Sequence, residues 1–226
     1  MPYKAVLIDI DDTLFDFRAS SFDALVASFG AYGVSFTEQD MRKYEVYNDG
    51  VWRAYERGEM EREVLFVRRF ELYFAERGLS LDPVAFNQVY LHQLGFGAHL
   101  MPHARELLQW LHGRYKIFVV TNGDAATQRS RIALSGLGQY FDGVFISEQL
   151  GCCKPDAAYF DKVFAAIGEQ YRACSLLVGD SLSSDMQGGR NAGVATCFYG
   201  DPAKADARCD YVITDLLQLP DILENS

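Results

Sequence analysis

The stretch AVLIDIDDTLFD, residues 5–16, joins a strand that looks buried to a cluster of acidic residues. Four apolar residues are followed by three aspartates within four positions: Asp9, Asp11 and Asp12. Residues i and i+2 of a strand point to the same side, so the Asp9 and Asp11 carboxylates are expected to face one region. Two close carboxylates need a cation between them or a proton on one of them. The alternative interpretation is an acidic turn whose aspartates only cap a helix.

The composition argues against several classes of protein. The 226 residues contain no apolar run near the roughly 20 residues of a membrane helix, and the N-terminus lacks a signal-peptide pattern. We therefore expect a cytoplasmic protein whose five cysteines are reduced. A net charge of -10 and a pI of about 4.8 argue against the binding of a nucleic-acid polymer.

Short apolar segments alternate with amphipathic helical patterns along most of the chain. Helices are predicted at 103–112, with Pro102 in the first turn, and at 156–167. Alternating strands and helices predict an α/β protein with a parallel sheet covered on both faces. The predicted strands lie at 5–10, 117–121, 144–147, 175–179, 195–198 and 211–213.

The segment from residue 17 to residue 94 breaks this alternation, because it contains helical patterns only. Helix starts are predicted at Thr37 and at Asp82, and a helix end at Gly78. An inward-facing stripe is predicted in the first helix, formed by Phe22, Leu25, Val26 and Phe29. The chain is therefore expected to fold as an α/β domain of residues 1–16 and 96–226 with an inserted helical domain of residues 17–95.

A second polar stretch, TNG at residues 121–123, follows the second predicted strand. In a parallel sheet, ligands bind at the carboxyl edge of the strands. The Thr121 hydroxyl, the Asn122 amide and the flexible Gly123 backbone can hold a phosphate there. The same three residues can also form a simple turn.

Two more polar stretches follow later strands. Lys154 stands before Pro155, which suits the first turn of a helix, and its ammonium group can serve as a fixed positive charge. Asp180 comes directly after a predicted strand, and Asp185 lies where a helix is expected to start. A solvated surface lysine and a helix-capping Asp185 are the ordinary alternatives. The conjunction of all four stretches at strand ends favours a shared site.

Together the four stretches resemble the four motifs of the haloacid dehalogenase superfamily of hydrolases, and the resemblance covers essentially the whole chain. It implies an α/β fold with a Rossmann-like parallel sheet core, helices on both faces and an inserted all-helical cap of type 1. The motif residues in this chain are Asp9-Ile-Asp11-Asp-Thr13-Leu, Thr121-Asn122, Lys154-Pro155, and Gly179-Asp180 with Asp185.

The resemblance also implies a mechanism. Asp9 would be the nucleophile that becomes an aspartyl-phosphate, and Asp11 would act as general acid and then as general base. The Asp9 and Asp180 carboxylates and the Asp11 backbone carbonyl would hold Mg²⁺. Asp185 would act behind them, through a metal-bound water or by orienting Lys154. The phosphoryl oxygens would be held by Thr121, the Asn122 backbone and Lys154, with Gly123 in the same turn.

Asp11 bears on the type of reaction. Dehalogenases of this superfamily lack an acid–base aspartate two residues after the nucleophile, so the presence of Asp11 favours a phosphatase. A phosphosugar mutase remains an alternative. Residues 121–155 and 47–60 are similar to pyrimidine-preferring 5′-nucleotidases, whereas TNGD with Gln128 also resembles N-acylneuraminate-9-phosphatases. The expected substrate is a nucleoside 5′-monophosphate, and a sugar phosphate is the alternative.

Asn48 and Trp52 are the candidate specificity residues of the helical insert. They are spaced to share one face of a predicted helix. A tryptophan can stack on a base while an amide reads the base edge. The alternative is an aromatic stripe that packs inside the insert. The expected partner is a small phosphomonoester bound by a monomer or a homodimer.

Overall fold

The computed structural model describes residues 2–225 and divides into two compact units. We call Met1–Phe17 with Ala98–Ser226 the core unit, and Arg18–Gly97 the helical unit. The predicted boundaries after residues 16 and 95 lie within two residues of these limits.

The core unit contains one sheet of six parallel strands, ordered β3-β2-β1-β4-β5-β6. The predicted α/β class is therefore confirmed. In this order β2 and β3 lie on one side of β1, and β4, β5 and β6 lie on its other side. The carboxyl ends of β1, β2 and β4 consequently lie side by side. The strands are β1 (Ala5–Ile8), β2 (Lys116–Thr121), β3 (Gly143–Ile146), β4 (Ser175–Gly179), β5 (Ala195–Tyr199) and β6 (Tyr211–Ile213).

The first strand ends at Ile8, two residues earlier than predicted. The Ile10 carbonyl accepts hydrogen bonds from the backbone N–H groups of residues 13–15, which turns the chain away from the sheet. Asp12 adopts a left-handed conformation with φ of 58°, and its carboxylate accepts a hydrogen bond from the Phe17 N–H at 3.1 Å. The acidic cluster therefore occupies a tight turn rather than an extended strand.

The helical unit is built by four helices: α1 (Phe17–Ala31), α2 (Glu38–Glu56), α3 (Arg62–Arg77) and α4 (Pro83–Leu94). The predicted helix signals are confirmed, because Thr37 and Asp40 form a capping box, Gly78 ends α3 in a left-handed conformation, and Asp82 caps α4. The prediction for Val26 was wrong. Its side chain is 40% exposed, because the buried face of α1 runs through Ala24, Leu25, Ser28 and Phe29.

Aromatic rings form the interior of the helical unit. Phe29 is fully buried and stacks on Phe36 with ring centroids 5.0 Å apart. It also meets Phe86 at 4.5 Å, and Phe86 meets Phe70 at 4.8 Å. Tilted and edge-on ring pairs of this kind add to the hydrophobic stabilisation of a core.

Six further helices belong to the core unit: α5 (Ala104–Leu111), α6 (Ala125–Ser135), α7 (Ser147–Leu150), α8 (Ala157–Ile167), α9 (Gln187–Ala192) and α10 (Leu219–Glu224). Pro102 was predicted in the first turn of α5 but lies before it, because His103 adopts φ of 63° and starts the helix only at Ala104. Ser147, predicted to end a strand, instead begins α7. Short turns of 3-10 helix occupy Leu137–Tyr140, Glu169–Cys174, Pro202–Lys204 and Leu216–Gln218.

The two faces of the sheet carry separate apolar cores, as alternating strand side chains require. Val6 and Ile8 of β1 join one core together with α5 and α10. Ala5 and Leu7 point the other way and join a core with α8. Every side chain of β1 is thus buried, which explains its continuous apolar sequence. Within residues 2–225, no helix is both long enough and apolar enough to cross a membrane.

We expect Thr37→Ala to destabilise the helical unit by about 1 kcal/mol, because the substitution removes the hydroxyl that accepts the Asp40 N–H at the start of α2. Urea unfolding followed by circular dichroism measures the change. Thr37→Ser keeps the hydroxyl and serves as the matched control. Equal losses in the two variants would contradict a capping role.

Candidate active site

Lys154 connects three strands at the carboxyl edge of the sheet. Its Nζ donates to Asp9 Oδ1 at 2.6 Å, to Asp185 Oδ1 at 2.6 Å and to the Val120 carbonyl at 3.0 Å. The residue is only 1% exposed. The alternative of a solvated surface lysine is therefore wrong, and three of the predicted site residues meet at one ammonium group.

The backbone of Lys154 is held by the side chain of Asn122. The Asn122 Oδ1 accepts the Lys154 N–H, and the Asn122 Nδ2 donates to the Lys154 carbonyl, both at 2.9 Å. The prediction that Pro155 lies in the first turn of a helix was wrong, because α8 begins only at Ala157. Lys154 lies in the connection before that helix. The Asn122 side chain thus has a structural task, and only its backbone is left for a ligand.

The fourth motif forms a single π-helical turn, Leu182–Met186, directly after β4. Ser181 caps this turn, because its hydroxyl accepts the Ser184 N–H at 3.1 Å. Asp185 was predicted to start a helix, but it lies inside the turn and its Oδ2 accepts the Ser181 N–H at 3.1 Å. A Cβ at Gly179 would come within 2.3 Å of the Asp185 carboxyl group, so only glycine fits there.

Three carboxylates can reach one point at this edge. Asp9, Asp180 and Asp185 each offer one oxygen, and these oxygens lie within 4.8 Å of one another. Asp180 is oriented by the Thr13 hydroxyl, which donates to its Oδ1 at 3.4 Å. Buried carboxylates with a single lysine leave an excess of negative charge, and carboxylate oxygen is the ligand that Mg²⁺ prefers. The donor set therefore fits a divalent cation.

The electrostatics of these groups reflect the same excess of negative charge. Burial raises the pKa of Asp9 to about 8; the Lys154 ammonium opposes this shift, and the Asp185 and Asp11 charges add to it. Burial, together with the Asp9 and Asp185 charges, raises the pKa of Asp180 well above its usual range. Burial by itself lowers the pKa of Lys154, but the Asp185 and Asp9 carboxylates raise it above the ordinary value. Without a cation, protons compensate part of the negative charge.

Asp11 does not join the group of three carboxylates. Its Oδ1 pairs with Arg131 Nη1 at 2.5 Å, and its Oδ2 accepts from Gln128 Nε2 at 2.7 Å. The Asp11 carboxylate is thus held on the α6 side, and only its backbone carbonyl remains as the predicted metal ligand. Gln128 Nε2 also donates to the Thr121 hydroxyl at 3.1 Å, which links the first and second motifs.

Thr121 and Gly123 are positioned by the same glutamine. The Thr121 Oγ1 accepts the Gly123 N–H at 3.1 Å as well as the Gln128 amide. A Cβ at Gly123 would lie 2.3 Å from Gln128 Nε2, so any other residue would displace that amide. The turn after β2 therefore depends on glycine for space.

Asn48 and Trp52 lie on α2 in the helical unit, as predicted. The Asn48 Oδ1 accepts from Arg69 Nη1 at 3.2 Å and from the Tyr44 hydroxyl at 3.4 Å. Trp52 packs edge-on against Phe66, with ring centroids 6.1 Å apart. Asn48 is thus buried inside the helical unit, and Trp52 is partly buried against it; a role of either side chain in substrate binding stays a prediction.

Arg131 is a buried residue beside the site that was not predicted from the sequence. It is buried at 1% exposure on α6, whereas its neighbour Arg129 is exposed. Gln128 was noticed only through the resemblance, and it lies one helical turn before Arg131. A glutamine and an arginine spaced three apart, on the helix face that carries the buried Ile132, were the available signal.

The fold and the site define a class of protein: a parallel α/β enzyme with an acidic, lysine-bridged site at the carboxyl edge of its sheet. A model of the haloacid dehalogenase-like hydrolases matches residues 3–193. The chain belongs to this family. The predicted family and the predicted character of a hydrolase are therefore confirmed.

Three relatives from bacteria are similar over most of their length. Pyrimidine 5′-nucleotidase YjjG of Escherichia coli is 37% identical over 88% of this chain and 86% of its own. Pyrimidine 5′-nucleotidase PynA of Streptococcus pneumoniae is 36% identical over 88% and 84%. The HAD-hydrolase YfnB of Bacillus subtilis is 35% identical over 89% and 86%. The crystal structure of YfnB bound to magnesium has a TM-score of 0.92 at 34% identity, covering 99% of this chain and 100% of that one.

We expect the free energy of unfolding in EDTA to fall as the pH rises from about 4 to 8. Folded Asp9 keeps its proton up to about pH 8, whereas the unfolded chain loses it near pH 4, so this contribution is complete below pH 4 and lost above pH 8. Urea unfolding across this pH range should show a shallower slope for Asp9→Asn. Asp161→Asn, at an exposed position outside the site, should keep the wild-type slope; identical slopes for wild type and Asp9→Asn would contradict the expectation.

Proposed function

We propose that the protein is a Mg²⁺-dependent phosphomonoester hydrolase that forms an aspartyl-phosphate on Asp9 and acts on nucleoside 5′-monophosphates. The observation that carries the proposal is the 2.6 Å contact between Lys154 Nζ and Asp9 Oδ1 inside the group of three carboxylates. A carboxylate oxygen, an ammonium group and a metal-compatible donor set lie together there, which supports the proposal. The likeness to two pyrimidine 5′-nucleotidases supports pyrimidine nucleotides as the preferred substrates.

Asp9 suits the role of nucleophile. Its Oδ1 accepts from Lys154, and within residues 2–225 no other hydrogen bond engages its carboxylate. The Oδ2 atom is therefore free to attack a phosphorus atom. A carboxylate nucleophile divides one difficult displacement into two easier steps.

Asp9 and Asp180, with the Asp11 backbone carbonyl, would hold Mg²⁺, and Asp185 would orient Lys154. When bound, the cation reduces the repulsion between carboxylates and an anionic phosphoryl group. Lys154 adds a fixed positive charge for the developing charge on the phosphoryl oxygens. The Thr121 hydroxyl and the Asn122 backbone would contribute hydrogen bonds to the same oxygens.

In the proposed reaction Asp11 gives up one proton in the first step and takes one back in the second. An Asp9 oxygen bonds to phosphorus while the bond from phosphorus to the nucleoside 5′ oxygen breaks, and Asp11 gives its proton to that oxygen. The Asp11 carboxylate then takes a proton from water as the water oxygen attacks phosphorus. The bond from phosphorus to Asp9 breaks, which releases inorganic phosphate and restores the Asp9 carboxylate.

We expect Asp9→Asn to lower phosphate release from uridine 5′-monophosphate by at least 10⁴-fold, because an amide oxygen is a far weaker nucleophile than a carboxylate. A panel of nucleoside 5′-monophosphates, sugar phosphates and N-acylneuraminate 9-phosphate is assayed for phosphate release with Mg²⁺ and with EDTA. Pyrimidine nucleotides should give the highest kcat/KM.

Asp161→Asn is the matched control, because it makes the same chemical change at an exposed position. Activity of Asp9→Asn near that of the wild type would refute the nucleophile. Preferred release from a sugar phosphate would keep the mechanism and refute the nucleotide substrate. Slow release that a sugar bisphosphate accelerates would instead support the mutase.

A further inference from the structure

We propose that Arg131 is a positioning residue that fixes the Asp11 carboxylate for proton transfer, an inference that rests on the proposed function. Arg131 comes from α6 and is 120 residues from Asp11 along the chain. Its Nη1 lies 2.5 Å from Asp11 Oδ1, and the guanidinium is buried at 1% exposure. Hydrogen bonds between a guanidinium and a carboxylate are stronger than neutral ones and fix the relative geometry of the two groups.

Gln128 completes a closed triangle with these two residues. Its Nε2 donates to Asp11 Oδ2 at 2.7 Å, and its Oε1 accepts from Arg131 Nη1 at 3.0 Å. Both oxygens of the Asp11 carboxylate are therefore held by donors from α6. The carboxylate cannot rotate about its Cβ–Cγ bond without breaking one of these hydrogen bonds.

The triangle is connected to the phosphoryl site and to the turn that carries Asp11. The Gln128 amide also donates to Thr121 Oγ1 at 3.1 Å. The Arg131 guanidinium lies over the ring of buried Phe15, 4.8 Å from its centroid, and Phe15 belongs to the turn that follows Asp11. Gln128 and Arg131 thus fix the Asp11 carboxylate relative to Thr121, and the contact of Arg131 with Phe15 fixes the turn that carries Asp11.

A buried arginine is costly unless a partner compensates its charge. Here the partner is the proposed proton-transfer group, so a loss of Arg131 should act on proton transfer. A displacement of about 1 Å in a reacting group can cost roughly 10²-fold in rate. The rate of Asp9 phosphorylation should depend on the leaving group, whereas the rate of phosphoenzyme hydrolysis should not.

A nucleoside alkoxide needs a proton from Asp11 in order to leave, whereas p-nitrophenolate is a stable anion and leaves without one. Hydrolysis of the phosphoenzyme needs Asp11 as a base for either substrate. With misplaced Asp11, p-nitrophenyl phosphate should phosphorylate Asp9 at a nearly normal rate, and the phosphoenzyme should accumulate.

We expect Arg131→Met to lower kcat for uridine 5′-monophosphate about 10²-fold, with KM changed less than about threefold. Rapid mixing with p-nitrophenyl phosphate should release about one equivalent of p-nitrophenolate in a burst, followed by slow turnover. Arg131→Lys keeps a positive charge and a single donor nitrogen but loses the planar guanidinium, and we expect about a tenfold loss with a smaller burst. Circular dichroism and thermal unfolding report whether each variant is folded.

Arg172→Met is the matched control, because Arg172 also stacks on a phenylalanine ring, 4.5 Å from the Phe164 centroid, and pairs with Asp161 at 2.9 Å. It belongs to the core unit but has no contact with the site, and it should show wild-type kinetics. Equal losses on both substrates without a burst, or wild-type kinetics in folded Arg131→Met, would overturn the proposal.

If Arg131→Met does not fold, the Arg131→Lys variant decides, and wild-type kinetics in that variant would overturn the positioning role. The wild-type enzyme distinguishes this failure from failure of the proposed function. If wild-type protein gives no Asp9-dependent release of phosphate from any substrate of the panel and no release of nitrophenolate, the phosphatase mechanism itself is refuted. If it does, a negative result concerns Arg131 alone.

Discussion

The burial of Lys154 between Asp9 and Asp185 is the interaction on which the site depends. Its ammonium group is almost inaccessible to water, yet it holds a carboxylate from the end of β1 and another from the turn after β4. Removal of one partner from such a buried ion pair typically costs about 3–5 kcal/mol, because an uncompensated charge remains. The three strand ends must therefore stay in register for the lysine to keep its partners.

This constraint explains features that are unremarkable in isolation. Asn122 uses its whole side-chain amide to hold the backbone of Lys154. Gly179 leaves the space that the Asp185 carboxyl group occupies, and the single π-helical turn directs that carboxyl group back toward the lysine. The backbone at these positions thus determines where the charged side chains lie. These positions are at the strand ends, where a parallel sheet binds ligands.

The fold was largely predictable, because each strand is a short apolar run and each break carries glycine, proline or an acidic residue. Asp9, Thr121 and Asp180 were predictable because they lie at strand ends. Lys154 and Asp185 were predictable because they belong to the polar stretches that follow β3 and β4. Arg131 was harder to predict, because its partner is 120 residues away and the local signal is only its place on the helix face of Gln128 and Ile132. The helix starts near Lys154 and Asp185 were misplaced for the same reason, since long-range hydrogen bonds override local signals.

Under the proposed function, the charge of the site would couple cation binding to substrate binding. When ionised, the three carboxylates carry more negative charge than the one lysine neutralises, and the raised pKa values of Asp9 and Asp180 show that protons make up part of the difference. A divalent cation has to displace those protons, so its affinity rises with pH. Under the proposed function, a phosphate group would bring further negative charge, and a bound cation would favour its binding. Each ligand would then increase the affinity for the other, as reciprocal linkage requires.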